Sequence, residues 1–345
     1  MLLLVLSSAA LSSAALSNTG CGEAPRRRPV APKAAACAGL VVSTLDEAVA
    51  PPANVSALVS VLDCDAQPLG FRFQSDNFEL SEDGKVLSAY EADRIIVPAN
   101  RQTTQKTLIA LDLSGSIVRA NLKDTMIDGA AIVARAIVAT DHQVAVFGFD
   151  GRPDLVPFSG FTSDIGAIES ALQVARTAPL VDDSTNLYGA VKNGLRILDE
   201  TIDAEQNDFF NVAHGSLVLF TDGSDRAGRV SANDVKSTLD TTHHSTFTIG
   251  LGPEIDDTEL SAIGRTQHFL IDSKDEIEAS FDTIAHQVKA QAESKYIISY
   301  CSPARAGQRN LRIVVRSEER VGQTTITFNA DGFGAGCKPE DSPLR

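Results

Sequence analysis

Acidic and hydroxyl side chains follow two apolar runs in the middle of the sequence. The run "LIALDLSGSI" carries Asp112 near its end, followed by Ser114 and Ser116 at the next alternate positions. The run "LVLFTDG" carries Asp222 at the corresponding point, and "DDSTNLYGAV" supplies Thr185. Oxygen atoms of these types are the ligands that Mg²⁺ prefers. The residues therefore predict a divalent-cation site for Mg²⁺, with Mn²⁺ or Ca²⁺ as alternatives.

Alternating strand-like and helix-like segments surround these residues and must position them. Between "TLIALDLS" and "DEIEASFDTIAHQVKAQ", near-continuous Val, Ile and Leu runs alternate with amphipathic segments. This alternation is typical of a mostly parallel sheet with helices on both faces, in which ligands bind beyond the carboxyl ends of the strands. We predict an α/β domain over residues 106–292, with the oxygen-bearing side chains at one sheet edge. Ser231 and Asp257 are predicted helix caps.

The pattern of these residues resembles a known family. Asp112, Ser114 and Ser116 match the DxSxS signature of the von Willebrand factor A (VWA) domain and its metal-ion-dependent adhesion site, and Thr185 and Asp222 resemble the remaining ligands of that site. The resemblance covers the α/β segment, and every motif position is filled in the right order. It implies a Rossmann-like fold and a binding module that captures an acidic partner residue through Mg²⁺.

Residues 38–105 and 293–337 have a different pattern from the α/β segment. Runs such as "NVSALVSVLD" and "LRIVVRS" alternate apolar and polar residues and are separated by turn signals, including Asp83-Gly84. We predict that both flanks contribute strands to an all-β sandwich that flanks or receives the α/β domain, followed by a tail at 338–345. Two separate small β-domains are the alternative, and flanks this short make that the less stable arrangement.

The N-terminal region predicts export. Residues 1–21 form an apolar and small-residue stretch that suits a signal peptide and is too short for a transmembrane helix. Cys21 resembles the cysteine of a bacterial lipobox in following Gly20, whereas Asn18 departs from that pattern. We predict Cys21 as a lipid anchor, the alternative being a plain secretory peptide, and residues 22–37 as a flexible tether. The expected location is the cell envelope, as an outer-membrane lipoprotein, or the exterior.

Four further cysteines predict disulfides. Cys37, Cys64, Cys301 and Cys337 form an even set in a chain that we expect to mature in an oxidising compartment. Four cysteines allow three pairings. We favour Cys37 with Cys64 and Cys301 with Cys337 because each pair is local in sequence, although spacing alone leaves the pairing open. No two form a CxxC pair, which argues against zinc or redox chemistry.

Composition and missing motifs exclude several other classes. The net charge of -15 lacks the basic footprint that nucleic-acid binding requires, and it leaves a lipid anchor as the expected route to a membrane. The stretch "GLGPEIDD" lacks the third glycine of a dinucleotide fingerprint, and neither a Walker motif nor GxSxG is present. His243 and His244 have no Cys or acid at metal-ligand spacing, and we predict them to be solvated turn residues.

Acidic residues near the proposed ligands bear on the partner. Asp182, Asp183 and Asp225 predict an acidic rim, which repels an acidic ligand over a Debye length of about 8 Å. We therefore expect a protein or glycan partner that offers one carboxylate to the metal, with neutral or basic groups around it. The leading hypothesis is a non-enzymatic adhesion module. A structural scaffold of an envelope assembly and a metal-dependent hydrolase are the alternatives.

Overall fold

A computed structural model gives the architecture of most of the chain. The described residues are 39–65, 67–69, 73–88, 93–99, 105–139, 142–205, 215–252, 256–271 and 277–341. The predicted signal peptide, the predicted lipid anchor Cys21 and the predicted tether at 22–37 lie outside the described residues.

The order of elements follows the predicted change of pattern. The strands are β1 (Leu40–Ala50), β2 (Asn54–Asp63), β3 (Phe78–Glu82), β4 (Lys85–Val86), β5 (Arg94–Pro98), β6 (Lys106–Asp112), β7 (Gln143–Phe149), β8 (Val156–Pro157), β9 (Gly215–Thr221), β10 (Ser245–Leu251), β11 (Gln267–Ile271), β12 (Lys295–Cys301), β13 (Gln308–Ser317) and β14 (Arg320–Asn329). The α-helices are α1 (Gly115–Arg119), α2 (Lys123–Val138), α3 (Ile165–Thr177), α4 (Leu187–Glu205), α5 (Ala232–Thr241), α6 (Asp257–Ile263) and α7 (Ile277–Ala292). None of the described helices is long and apolar enough to cross a membrane.

The strands between β6 and β11 form one mostly parallel sheet. Its order is β11-β10-β9-β6-β7-β8, and only the short β8 pairs antiparallel with its neighbour. Helices α2, α3 and α7 cover one face of this sheet, and helices α4, α5 and α6 cover the other. The predicted α/β class, with a mostly parallel central sheet between two helical layers, is therefore confirmed.

Strand β6 shows why its sequence is a continuous apolar run. All of its residues are buried. Ile109 and Leu111 pack into the core beneath α2, α3 and α7, whereas Leu108 and Ala110 pack into the core beneath α4, α5 and α6. A strand that is covered on both faces needs apolar residues at successive positions, so the usual alternation with polar residues disappears. This burial fixes the position of Asp112 at the carboxyl end of β6.

The flanking strands form a sandwich of two antiparallel sheets. Their orders are β1-β2-β12-β5 and β14-β13-β3-β4, so each sheet combines strands from before and after the α/β segment. The inner faces share one core, in which Val59 and Tyr296 of the first sheet join Leu80 and Ile313 of the second. The predicted sandwich is confirmed. The alternative of two separate β-domains is wrong because each sheet needs strands from both flanks.

A disulfide and a tight turn stabilise the sandwich. Cys301, the last residue of β12, is bonded to Cys337, which is one of the two local pairings favoured from the sequence. Cys64 is also disulfide-bonded, and its predicted partner Cys37 lies outside the described residues. The Asp83-Gly84 turn between β3 and β4 has positive φ angles of 48° and 82°. Asp and Gly tolerate that conformation, which suits a two-residue hairpin.

Two helix caps show how far local sequence determines helix starts. Ser231 caps α5 as predicted, because its hydroxyl accepts a hydrogen bond from the Asp234 N–H at 3.1 Å. The predicted cap at Asp257 is wrong by one residue: Asp256 has the extended backbone of a cap and accepts from two N–H groups of α6. Either of two successive aspartates could have satisfied the sequence pattern, and only the extended one can cap.

Gly129 of α2 packs directly against the ring of Phe281 in α7. A methyl group at this position would overlap the tip of that ring, which is wholly buried and lies against Phe220. Alanine favours a helix over glycine by about 1 kcal/mol, but overpacking a tight core costs roughly 1–3 kcal/mol. We expect Gly129→Ala to lower the free energy of unfolding by up to about 2 kcal/mol, measured by chemical denaturation.

Two further variants test the cause of that loss. A methyl group at Gly166 of α3 would meet only the Asp164 carboxylate at 3.3 Å, so Gly166→Ala should change stability little. In a Phe281→Leu background, the cost of Gly129→Ala should shrink because the ring tip is gone. An unchanged cost in that background would show that the contact between α2 and α7 is not responsible.

Candidate metal centre

Strands β6 and β9 are neighbours at the point where the strand order reverses. From β6 the chain continues to β7 on one side and later returns to β9 on the other. In open parallel sheets, ligands bind beyond the carboxyl ends of the strands at such a switch point. The register pairs Leu111 with Phe220. Asp112 and Thr221 therefore end their strands side by side, and Asp222 follows directly.

Asp112 is wholly buried at this sheet edge. Its Oδ1 accepts a hydrogen bond from the Ser114 N–H at 2.9 Å, and its Oδ2 accepts one from the Thr221 hydroxyl at 2.7 Å. Burial raises the pKa of Asp112 to about 7, and the nearby Asp222 carboxylate adds to the rise against the hydrogen bonds from Ser114 and Thr221. A buried carboxylate in this state is stabilised by a cation.

The two serines connect Asp112 to Asp222. Ser114 Oγ lies 3.0 Å from Ser116 Oγ, and the Ser116 hydroxyl donates to Asp222 Oδ1 at 2.8 Å. Helix α1 begins directly after Ser114, so the chain turns sharply and both hydroxyls lie over the end of the sheet. Ser114 is fully buried and Asp222 is only 7% exposed. The oxygen atoms therefore face one another.

Thr185 reaches the same edge from the loop before α4. The side chain is buried, and the Thr185 carbonyl accepts hydrogen bonds from the N–H groups of Arg226 and Ala227 at 2.9 and 3.0 Å. On the other side of the loop, the Gly115 N–H donates to the Asp183 carbonyl at 3.1 Å. The loop is thus held between the segment after β6 and the segment after β9.

The predicted ligands line one open cavity or lie directly behind it. Ser116, Thr185 and Asp222 line a cavity of about 400 Å³. Among the described residues, no cluster of three or more His, Cys, Asp or Glu side chains is arranged to hold a metal. The set here combines two carboxylates with three hydroxyls, which is an all-oxygen set that fits a small hard cation. Asp112 has hydrogen-bond donors but no ion-pair partner within the described part of the chain.

Arginines and backbone amides offset the acidic rim expected from the sequence. Asp183 pairs with Arg119 at 2.9 Å. Hydrogen bonds from Ser184, helped by two nearby arginines, hold the pKa of Asp182 below its usual value. The Asp225 carboxylate accepts two backbone N–H groups. The predicted acidic rim is therefore partly offset, because arginines distant in sequence fold against Asp182 and Asp183.

Sequence reasoning missed two residues at this edge. The Thr221 hydroxyl donates to Asp112 Oδ2 and lies 3.1 Å from the Gly223 carbonyl, so it joins the ends of β6 and β9. The available signal was a threonine at the end of an otherwise apolar strand. Arg226 lines the cavity together with Thr185. Its sequence position just after "FTDGSD" gave no comparable signal.

His244 is buried, and the prediction that it is a solvated turn residue is wrong. Its Nδ1 accepts the Gly215 N–H at 2.9 Å, and its Nε2 lies 2.8 Å from Asp199 Oδ1. Burial lowers the pKa of His244, whereas Asp199 acts in the opposite direction. These contacts use both ring nitrogens within the fold, so His244 is not available as a metal ligand. His243 is exposed, as predicted.

Comparisons with known proteins give similar structures but no close relative. No protein-family model and no curated protein sequence matches the chain. Proximal thread matrix protein 1 from the mussel byssus aligns at 16% identity over 54% of this chain and 48% of that chain, with a TM-score of 0.43. A von Willebrand factor type A protein from Catenulispora acidiphila aligns at 11% identity over 87% of this chain and 75% of that chain, with a TM-score of 0.42.

A further structure of the mussel protein is described as having a zinc-occupied MIDAS motif, and it aligns at 18% identity over 61% of this chain and 49% of that chain, with a TM-score of 0.39. The chain thus spans about half the length of the mussel structures. The sheet order and the positions of the motif residues do not depend on these likenesses. The α/β part of this chain has the mostly parallel sheet between two helical layers that the resemblance to VWA domains implies. Asp112 ends β6, and Ser116, Thr185 and Asp222 line the cavity at that edge.

Proposed function

We propose that this protein is a non-enzymatic binding module that uses a divalent cation to capture a partner's carboxylate. Asp112, Ser114, Ser116, Thr185 and Asp222 would hold the cation, with Mg²⁺ as the preferred ion. The observation that carries the proposal is the buried Asp112 carboxylate, which lies beside a second carboxylate and has no ion-pair partner within the described part of the chain. A cation bound between Asp112 and Asp222 would offset both charges.

The mixture of ligands favours capture of an anion. Three of the five side chains are neutral hydroxyls, so they coordinate without adding negative charge. A divalent cation held in this way keeps its attraction for an incoming carboxylate. Ser116, Thr185 and Asp222 line the cavity, which leaves room for a partner's oxygen. A protein or glycan that carries a carboxylate is therefore the proposed partner.

The proposed setting is the cell envelope or the exterior. The Cys301–Cys337 disulfide suits an oxidising compartment, in which such bonds persist. The predicted signal peptide and the lipid anchor at Cys21 would place the module outside the cytoplasm, where adhesion partners are available. Treatment of intact cells with a protease, followed by detection of the chain, would test this exposure.

A structural scaffold is the second candidate, and one contact favours it. Thr221 already links the ends of β6 and β9 through Asp112, so a cation could act only to stabilise these loops. The two candidates differ in what the metal changes. For a scaffold, Mg²⁺ should raise the melting temperature without allowing a partner to bind. For an adhesion module, Mg²⁺ should raise the melting temperature and also allow a partner to bind.

The first test is calorimetric titration of Mg²⁺ and Mn²⁺ into the purified full chain. We expect saturable binding at one site, and we expect Asp222→Asn to abolish it because one of two charged ligands is removed. Glu318→Gln, an exposed residue between β13 and β14, is the matched control and should bind like the wild type. Absence of binding by the wild-type chain would count against the proposal.

The second test is capture of partners from envelope extracts in Mg²⁺ or in EDTA. A partner retained only in Mg²⁺ and lost with Asp222→Asn would support adhesion. A partner retained equally in EDTA would show that the metal is not involved in the contact. Metal binding that raises the melting temperature without any metal-dependent partner would favour the scaffold.

A further inference from the structure

The cavity beside the proposed ligands has a cationic wall. Arg226 and Arg119 line it together with Ser116, Thr185 and Asp222. Arg119 is already paired, since its Nη1 lies 2.9 Å from Asp183 Oδ2. No ion pair or side-chain hydrogen bond joins the Arg226 guanidinium to any of the described residues, and the residue is exposed. Arg226 is thus the cation of this cavity that is open to a ligand.

Backbone hydrogen bonds hold Arg226 next to Thr185, one of the proposed metal ligands. Its N–H donates to the Thr185 carbonyl at 2.9 Å, and the next N–H, of Ala227, donates to the same oxygen at 3.0 Å. The adjacent Asp225 carboxylate accepts from the N–H groups of Tyr188 and Gly228, each at 3.0 Å. The Asp225 carboxylate therefore binds backbone N–H groups and does not form an ion pair with the neighbouring Arg226 guanidinium.

Part of the cavity wall is apolar. Ala120, which is exposed, and Leu122, which is 9% exposed, line it beside Gly252, whose φ of 101° favours glycine. The Cδ1 atom of Leu122 would lie 3.3 Å from a methyl group at Gly252, so the wall is closely packed there. The cavity therefore combines the proposed metal ligands, the Arg226 guanidinium and an aliphatic surface. An aliphatic surface suits the side chains of a peptide better than the hydroxyl-covered face of a sugar.

We propose that the partner is an acidic peptide segment that offers two carboxylates to this cavity. One carboxylate would bind the cation, and the second would form a bidentate pair with Arg226, while a neighbouring aliphatic side chain packs on Ala120 and Leu122. This inference rests on the proposed function, because the first carboxylate needs the metal. It differs from the expectation of a single acid surrounded by neutral or basic groups, because two arginines also line the cavity.

The test uses labelled, end-blocked hexapeptides in which two glutamates are separated by no residue, one leucine or two leucines. Their single Glu→Gln counterparts carry one carboxylate. Binding to the full chain is measured by fluorescence anisotropy in Mg²⁺ and in EDTA. A charge-assisted, bidentate contact should make the best di-acidic peptide bind roughly tenfold more tightly than its single-acid counterpart. Binding of both peptides should require Mg²⁺.

Variants then assign that difference to Arg226. Arg226→Gln should abolish the tenfold preference, while Mg²⁺-dependent binding of the single-acid peptides persists. Arg316→Gln, an exposed arginine of the sandwich, is the matched control and should keep the preference. A preference that survives Arg226→Gln would overturn the inference. So would tighter, Arg226-dependent binding of digalacturonic acid than of any peptide, because it would identify a glycan.

The outcomes separate this inference from the proposed function. Mg²⁺-dependent binding of single-acid peptides without any gain from a second glutamate would overturn the role of Arg226 and leave the proposed function intact. Failure of every peptide to bind in a Mg²⁺-dependent manner, together with absence of calorimetric Mg²⁺ binding, would overturn both. Calorimetric binding of Mg²⁺ without any peptide binding would overturn the peptide assignment alone.

Discussion

Asp112→Asn should reduce the affinity for Mg²⁺ by about 100-fold or more, while the metal-free protein becomes at least as stable as the wild type. Loss of an outer-sphere group around a metal typically costs 10–100-fold, so loss of a charged ligand belongs at or beyond the upper end of that range. The gain in metal-free stability follows from removing a fully buried carboxylate, and is on the order of 1–3 kcal/mol.

The local hydrogen bonds allow this substitution without damage to the fold. An asparagine oxygen can still accept the Ser114 N–H, which lies 2.9 Å from Asp112 Oδ1. The asparagine amide group would then face the Thr221 hydroxyl, which can turn to donate to the Gly223 carbonyl at 3.1 Å. Every polar group keeps a partner, so the variant removes the charge and little else.

Two measurements test whether Asp112→Asn lowers the Mg²⁺ affinity and raises the stability of the metal-free protein. Calorimetry gives the Mg²⁺ affinity, and thermal unfolding in EDTA gives the metal-free stability. Wild-type protein should gain melting temperature on addition of Mg²⁺, because a ligand that binds only the folded state stabilises it, whereas the variant should not respond. A variant that is less stable than the wild type in EDTA would show that the Asp112 carboxylate stabilises the metal-free fold, which would contradict this prediction.

Lys295→Met should stabilise the protein and flatten its dependence on pH. Lys295 begins β12, is 1% exposed, and its Nζ has no hydrogen-bond partner among the described residues. Burial lowers the pKa of Lys295 to about 7. Because a difference of one pKa unit corresponds to about 1.4 kcal/mol, the expected gain below pH 7 is on the order of several kcal/mol. Methionine fills a similar volume without a charge.

The sign of the pH effect follows from where the proton is bound. Between pH 7 and about 10.4 the unfolded chain keeps the Lys295 proton while the folded protein releases it. The unfolded state then binds more protons, so the contribution of this residue to stability rises with pH through that window. Below pH 7 both states are protonated and the full cost remains. The advantage of Lys295→Met should therefore be largest at pH 6 and small near pH 10.

Chemical denaturation of the wild type and the variant from pH 6 to pH 10 measures this difference. Lys338→Met provides the control, because Lys338 is exposed and its removal should change neither the stability nor its pH dependence. A stability difference between the wild type and Lys295→Met that stays constant across the pH range would show that packing, and not the charge, is responsible.

The α/β layer and its ligand edge could be predicted because their signals are local. A strand covered on both faces must be apolar at successive positions, as β6 is, so the residue that breaks the run marks the carboxyl end of the strand. Asp112 is that residue in β6, and Asp222 comes directly after β9. Parallel strands bring these ends to one edge, so their proximity follows from chain direction alone.

The features that the sequence did not predict depend on contacts between distant segments. His244 is buried because its ring meets Gly215 and Asp199, which are 29 and 45 residues away in sequence. Asp183 on the rim is paired because Arg119 folds against it from 64 residues away. A pattern read along one segment contains no information about which side chain will lie across a loop, so the sequence did not indicate which acidic residues near the site are paired.

The α/β domain is joined to the sandwich at both of its ends, and the two connections leave neighbouring strands. Pro98, at the end of β5, is paired with Tyr296 near the start of β12, and the α/β domain lies between them in the chain. A partner bound at the opposite edge would therefore pull on two covalent connections in parallel. Tension would be divided between adjacent strands, and the Cys301–Cys337 bond would keep the far end of β12 from sliding free.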